Sequence, residues 1–111
     1  LEDGVLHHYV IVRDDLPRGV LAAQLIHAAG ESSDRVPSGT HAVCLAAKDE
    51  HELLELERRL CERDVPHAAV REPDAPWHGA LMAIGIRPMD RTKNLRRLLR
   101  RLPLLKEKTN D

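Results

Sequence analysis

Four apolar residues in a row, Tyr9-Val10-Ile11-Val12, follow His8 and end at Arg13. A strand with one wet face alternates apolar and polar side chains, so a run without alternation has to be covered on both sides. That condition selects a sheet sandwiched between helices. The cover must be aliphatic, because Tyr9 and Trp77 are the only aromatic residues and there is no Phe. The same scarcity argues against a site built from several stacked bases or an aromatic cage. With 111 residues, 42% of them hydrophobic, the chain has room for one domain over 1–111, with about 1–6 and 106–111 expected to be frayed.

The turn Arg13-Asp14-Asp15-Leu16-Pro17-Arg18-Gly19 leads into Val20 to Ala29, where four alanines favour a helix and Gly30 offers a stop. That helix is apolar nearly all round, which predicts burial. Its polar interruptions, Gln24 and His27, are three residues apart on one face, with Glu31 a turn further. After a polar loop, 40–47 reads as a second strand. Asp49 and Glu52 have capping-box spacing, and Leu53, Leu56 and Leu60 form the buried stripe of the helix they start. Residues 67–71 and 80–86 read as third and fourth strands, separated by a loop with two prolines. A last helix is predicted over 91–102, with Leu95, Leu98, Leu99 and Leu102 facing inward and Arg96/Arg100 and Arg97/Arg101 as i, i+4 pairs off that stripe. Pro103 ends it. The order βαβαββα lets strands 1 to 3 run parallel, and the helix-free connection turns strand 4 antiparallel to at least one neighbour. The fold class predicted is α/β, a three-layer α/β/α sandwich with a four-stranded mixed sheet.

The net charge of −1 hides an asymmetry. Residues 90–111 hold eight Lys or Arg against three acidic residues, a net +5, so the remainder carries nine basic and fifteen acidic residues, a net −6. A basic C-terminal segment on an acidic body can grip a phosphate backbone locally, or it can simply be a solvated helix face. Cys44 and Cys61 lack metal-type spacing and suit a reduced cytoplasm. No apolar run approaches the roughly 20 residues that cross a bilayer, and no signal-peptide pattern opens the chain.

Seven histidines invite a metal reading, but none forms HxxxH or HxH on a recognisable element, so neither metal nor cofactor is expected. No Gly-rich phosphate loop or GxSxG is present. The remaining candidates sit at strand ends: Asp14 and Asp15 after strand 1, Gln24 and His27 on the next helix, Asp74 and His78 before strand 4. A histidine near a carboxylate can activate water. His27 can equally be a buried donor to a backbone carbonyl, and Asp15 a cap for the first helix.

The stretch from Tyr9 to Ala29 resembles the signature of type II peptidyl-tRNA hydrolases: Arg13, Asp15, Leu16, Gly19, Ala22, Ala23, Gln24, His27, Ala28 and Ala29 match in order. The helix start Ala47-Lys48-Asp49-Glu50 and the late strand Ala83–Pro88 are similar too. The resemblance covers nearly the whole chain. It implies a four-stranded mixed sandwich and metal-free hydrolysis of the ester joining a peptide to the tRNA 3′ ribose. Val20 stands where the family has a lysine after the motif glycine, Met82 where its last strand carries a hydroxyl, and Pro76-Trp77-His78 follow Asp74-Ala75 in a shortened loop. These losses resemble a divergent branch of peptidyl-tRNA hydrolase domain proteins.

The leading expectation is therefore a hydrolase of translation in the cytoplasm. Asp74 or His27 would position water and Gln24 and Asp15 would order the site. Arg13, Arg18, His78 and the cluster Arg96, Arg97, Arg100 and Arg101 would contact tRNA or peptidyl-tRNA. The alternatives are an inactive RNA-binding member and a metabolite- or protein-binding module sharing only the fold. A homodimer is compatible with the sequence.

Overall fold

In the computed structural model, which describes residues 4–107, the unbroken apolar run lies at the centre of a sheet. The strands are β1 (Leu6–Arg13), β2 (His41–Ala47), β3 (His67–Glu72) and β4 (Ala80–Ile86). Their spatial order is β2-β1-β4-β3. β1 runs parallel to β2, with Ile11 opposite Leu45, and antiparallel to β4, where Ile11 faces Ile84. β3 is antiparallel to β4, so β1, β2 and β3 all point the same way. The helices are α1 (Arg18–Glu31), α2 (Glu50–Glu62) and α3 (Lys93–Leu99).

Side-chain alternation along β1 divides the core in two. Tyr9 and Ile11 join Leu53, Leu56, Leu60, Leu95, Leu98 and Leu99 beneath α2 and α3. Val10 and Val12 join Leu16, Ala28, Val70, Met82 and Ala83 beneath α1. Fully burying an aliphatic side chain such as Leu53 or Leu60 stabilises the fold by about 1.5–3 kcal/mol each. The predicted three-layer α/β/α sandwich with a mixed sheet is the fold observed.

β4 departs from simple alternation. Val70 pairs with Ala83 but Arg71 pairs with Leu81, so Met82 is the extra residue of a β-bulge. The bulge lets Leu81 and Ile84 face α2 while Met82 and Ala83 both face α1. Further along the strand, α1 approaches so closely that a Cβ on Gly85 would lie 2.2 Å from the Ala28 carbonyl oxygen and 2.5 Å from Ser32 Oγ. Glycine is needed there for space.

Three expectations need correction. First, α1 is not buried nearly all round: only Gln24 and Ala28 are buried, while Ala22, Ala23 and His27 are exposed and Ile26 is 72% exposed. Alanine favours helix wherever it sits, so an Ala-rich segment does not say which faces are covered. Second, α3 spans Lys93–Leu99 and not 91–102. Thr92 starts it by accepting a hydrogen bond from Leu95 N at 3.1 Å, and Pro103, with no N–H, disfavours helix in the residue before it. Arg100 and Arg101 therefore lie in a turn, and the arginine rows do not continue along one helix. Third, the order gains a two-residue β5 (Met89–Asp90) paired with Leu6 and His7, too short to leave a pattern. After α3 the chain also lies along the outer edge of β2, Leu104 bridging Leu45. Leu6 thus begins β1, while the expected loose ends at 1–3 and 108–111 lie outside the described residues.

Candidate functional site at the strand ends

The common direction of β1, β2 and β3 gathers their C-terminal ends, with the start of β4, on one edge of the sheet. Open α/β sheets bind ligands at such an edge. Arg13 is the last residue of β1 and is buried there. Its Nε and one terminal nitrogen donate to the two carboxylate oxygens of Asp15, at 2.8 and 2.9 Å, and the other terminal nitrogen donates to the Leu81 carbonyl at 3.2 Å. This fork-on-fork pair is the strong form of an arginine–carboxylate contact, and it pushes the guanidinium pKa further up. Asp15 is not the cap of α1: Pro17 holds that position, with no side-chain bond to the helix.

Arg13 also lies 5.6 Å from the ring centroid of Trp77, within cation–π range. Leu81, whose carbonyl holds Arg13, donates its own N–H to Glu50 Oε2 at 2.8 Å. The first turn of α2, the start of β4 and the end of β1 are thus tied together next to the bulge.

A second set lies between α1 and the 73–79 loop. Gln24 is buried; its Nε2 donates to Glu72 Oε1 at 3.3 Å, and its Oε1 has no partner within the described chain. The other oxygen of Glu72 accepts from Asp74 N at 3.4 Å. The loop is held by its own backbone: Trp77 N and His78 N both donate to the Asp74 carbonyl, and Gly79 N donates to the Glu72 carbonyl at 2.7 Å. The turn carries His78 at φ 47° and Gly79 at φ 90°, and leaves Asp74 and His78 exposed. A groove of about 680 Å³ opens on the same edge, lined by Asp14, Leu16, Pro17, Arg18, Leu21, Leu105, Lys106 and Glu107. Arg18 and Lys106 place two cations on its walls.

Arg13, Asp15, Arg18, Gln24, Asp74 and His78 are therefore brought to one edge or to the elements that line it. His27 is not brought in with Gln24. A three-residue step turns a helix by about 60°, enough to cross from the buried to the exposed face. His27 has a 60% exposed side chain and lies 4.0 Å from Glu31 Oε2. The four arginines divide. Arg96 and Arg97 lie on the exposed side of α3, while Arg100 and Arg101 precede Pro103, whose carbonyl accepts from Ala46 N. That bond puts the turn near the end of β2, and Asp14 N donates to the neighbouring Ala47 carbonyl.

A second cleft, of about 480 Å³, lies away from the strand C-terminal ends between the end of α1 and Arg87-Pro88. The linked Arg13–Asp15 and Gln24–Glu72–Asp74 sets are not on it. Sequence reasoning missed Glu50, Glu72 and Trp77. Glu50 lies inside the recognised helix start and Glu72 ends a strand with no motif around it, and only the fold shows what the two carboxylates hold. Trp77, the chain's single tryptophan, was visible as an intrusion in the 73–79 loop.

The sequence matches the family described as Peptidyl-tRNA hydrolase PTH2 over residues 6–105. The chain belongs to this family. Membership accounts for nearly the whole chain and gives it a peptidyl-tRNA hydrolase-like function at the level of the family. Comparison with curated proteins returns no match. Among the described residues no helix is long and apolar enough to cross a membrane.

Proposed function

We propose that this chain hydrolyses the ester between a peptide and the 3′ ribose of tRNA, in the cytoplasm and without a metal ion. The observation that carries this reading is the convergence, in a chain of this family, of Arg13–Asp15 and Gln24–Glu72–Asp74 on one sheet edge. Asp74 and Asp15 are both exposed, but both oxygens of Asp15 are taken by Arg13, so Asp74 is assigned to water, with proton transfer to a leaving ribose oxygen as the chemistry to be assisted. Gln24 offers an unused acceptor, and Asp15 acts through Arg13, holding its guanidinium toward the reacting edge. His27, on the solvent side of α1, is assigned no direct part. Arg18 contacts phosphate, and so does the Arg96, Arg97, Arg100 and Arg101 group.

The test is release of peptide from purified peptidyl-tRNA, run beside a boiled sample and a competent family member. Release that continues in a chelator and falls at least tenfold in Asp74→Asn is expected, a size typical of losing a positioned proton acceptor. A specific observation favours the rival reading, an inactive member that still binds RNA. Val20 packs partly into the apolar core where the family has a lysine, and Met82 is fully buried where it has a hydroxyl. Tight tRNA binding with no release would select that reading.

A further inference from the structure

Trp77 has no counterpart in the roles assigned so far, yet it occupies the rim of the same edge. It is half-buried, packed in part against the Val10–Met82 core cluster, and flanked by exposed Pro76 and His78. One side of the indole meets the Arg13 guanidinium, itself held by Asp15 and Leu81. The loop beneath it is closed by four backbone hydrogen bonds, between Asp74, Trp77 and His78, between Gly79 and Glu72, and between Ala80 and Trp77. The indole thus sits on a hydrogen-bonded loop, against Arg13, and is partly exposed at the rim. Tyr9, the only other Phe, Tyr or Trp side chain, is 7% exposed inside the opposite core, so Trp77 is the one such face this chain offers at the edge.

We infer that Trp77 is the stacking platform for the terminal nucleobase of the RNA whose ester is cleaved. This rests on the acyl-RNA reading above and adds to it the group that is recognised. An aromatic plane backed by a guanidinium is a surface on which an unpaired base stacks, whatever its identity, while nearby cations take the phosphates. Arg18 and Lys106, on the groove that opens after β1 at the same edge, supply those cations. A single platform suits a single terminal base, which fits a chain too poor in aromatics for a multi-base track.

Because Trp77 is the only tryptophan, its emission reports on the platform alone. The experiment titrates the intact chain with the trinucleotide CCA, with a two-nucleotide CC control, and with N-acetyl-phenylalaninamide as a peptide-side probe. Saturable quenching by CCA, weaker by CC, is expected. Trp77→Leu should lose about tenfold or more in CCA affinity, measured by calorimetry, and Trp77→Phe should keep most of it. Unchanged CCA affinity in a folded Trp77→Leu protein would overturn the inference. So would emission unmoved by CCA in the native protein, or quenching by the phenylalanine amide alone. Should Trp77→Leu fail to fold, the native quenching and the Trp77→Phe affinity still decide. Peptide release from peptidyl-tRNA is measured separately: release with an unresponsive Trp77 sinks the platform and leaves the hydrolase reading standing. A responsive Trp77 without release does the reverse.

Discussion

His8 shows how a single residue couples the packing of this fold to pH. It is 5% exposed on β1, and its Nε2 lies 2.8 Å from Ser32 Oγ at the end of α1. Burial strips water from the imidazolium and lowers the pKa below its ordinary 6.5. The unfolded chain then takes up this proton at a higher pH than the folded one does. Stability from this group is complete above about pH 6.5 and is lost as pH falls through that value toward the lower folded pKa, where the loss stops growing. Urea midpoints at about pH 7.5 and about pH 5.5 should therefore differ more for the native protein than for His8→Gln. Identical pH dependence in both would assign the effect to other groups. Nothing in the sequence distinguished His8 from the other histidines, since its burial depends on α1 crossing over β1. The sequence marks Arg13 and Asp15 as candidates but not their mutual pairing: Asp15 fits a helix cap equally well, and it is the turn 14–17 that points it back at Arg13.

At the level of elements, the contact of α1 with β4 is the tightest constraint and its consequence is measurable. Gly85→Ala would force a Cβ against the backbone carbonyl of Ala28 and the side chain of Ser32, so α1 itself has to shift. A loss of about 3 kcal/mol, the upper end for overpacking, is expected in chemical denaturation. A loss below about 0.5 kcal/mol would mean that α1 moves aside freely. Position 20, in the first turn of the same helix, is more forgiving. Val20 is half-buried, and a lysine stem can cover the same apolar surface while its ammonium reaches water. Val20→Lys should fold, cost about 1 kcal/mol, and raise peptide release if it restores the charge that the family resemblance implies there. A folded variant with unchanged release would count against that alignment. The strands, α2 and their order were readable because alternation, capping and the Leu53–Leu56–Leu60 stripe each reflect a local rule. The Met82 bulge and the exposed side of α1 were not, because both depend on which neighbour each element meets.

Over the whole molecule, charge is arranged by the return of the chain after β4. α3 starts near β5, at the N-terminal end of β1, and its following turn brings Arg100 and Arg101 toward the end of β2. An acidic body thereby gains cations beside the candidate site. RNA affinity is expected to fall with salt by roughly −0.7 in log K per log salt for each phosphate neutralised in a single strand. A variant with Arg96, Arg97, Arg100 and Arg101 all changed to Gln, checked for folding, should bind tRNA more weakly with a flatter slope. Native affinity and slope would reduce the four to a solvated surface. The sequence alone determined the α/β/α sandwich, because an unbroken apolar strand followed by helices has no cheaper way to leave water, and its Tyr9–Ala29 signature determined the family. Only the tertiary structure decided that Gln24 turns inward and His27 outward, that Glu72 links Gln24 to Asp74, and that Trp77 lies on Arg13. The Gln24–Glu72 and Arg13–Trp77 contacts join residues tens of positions apart, and pairing over such distances follows from how the elements pack and not from any local pattern.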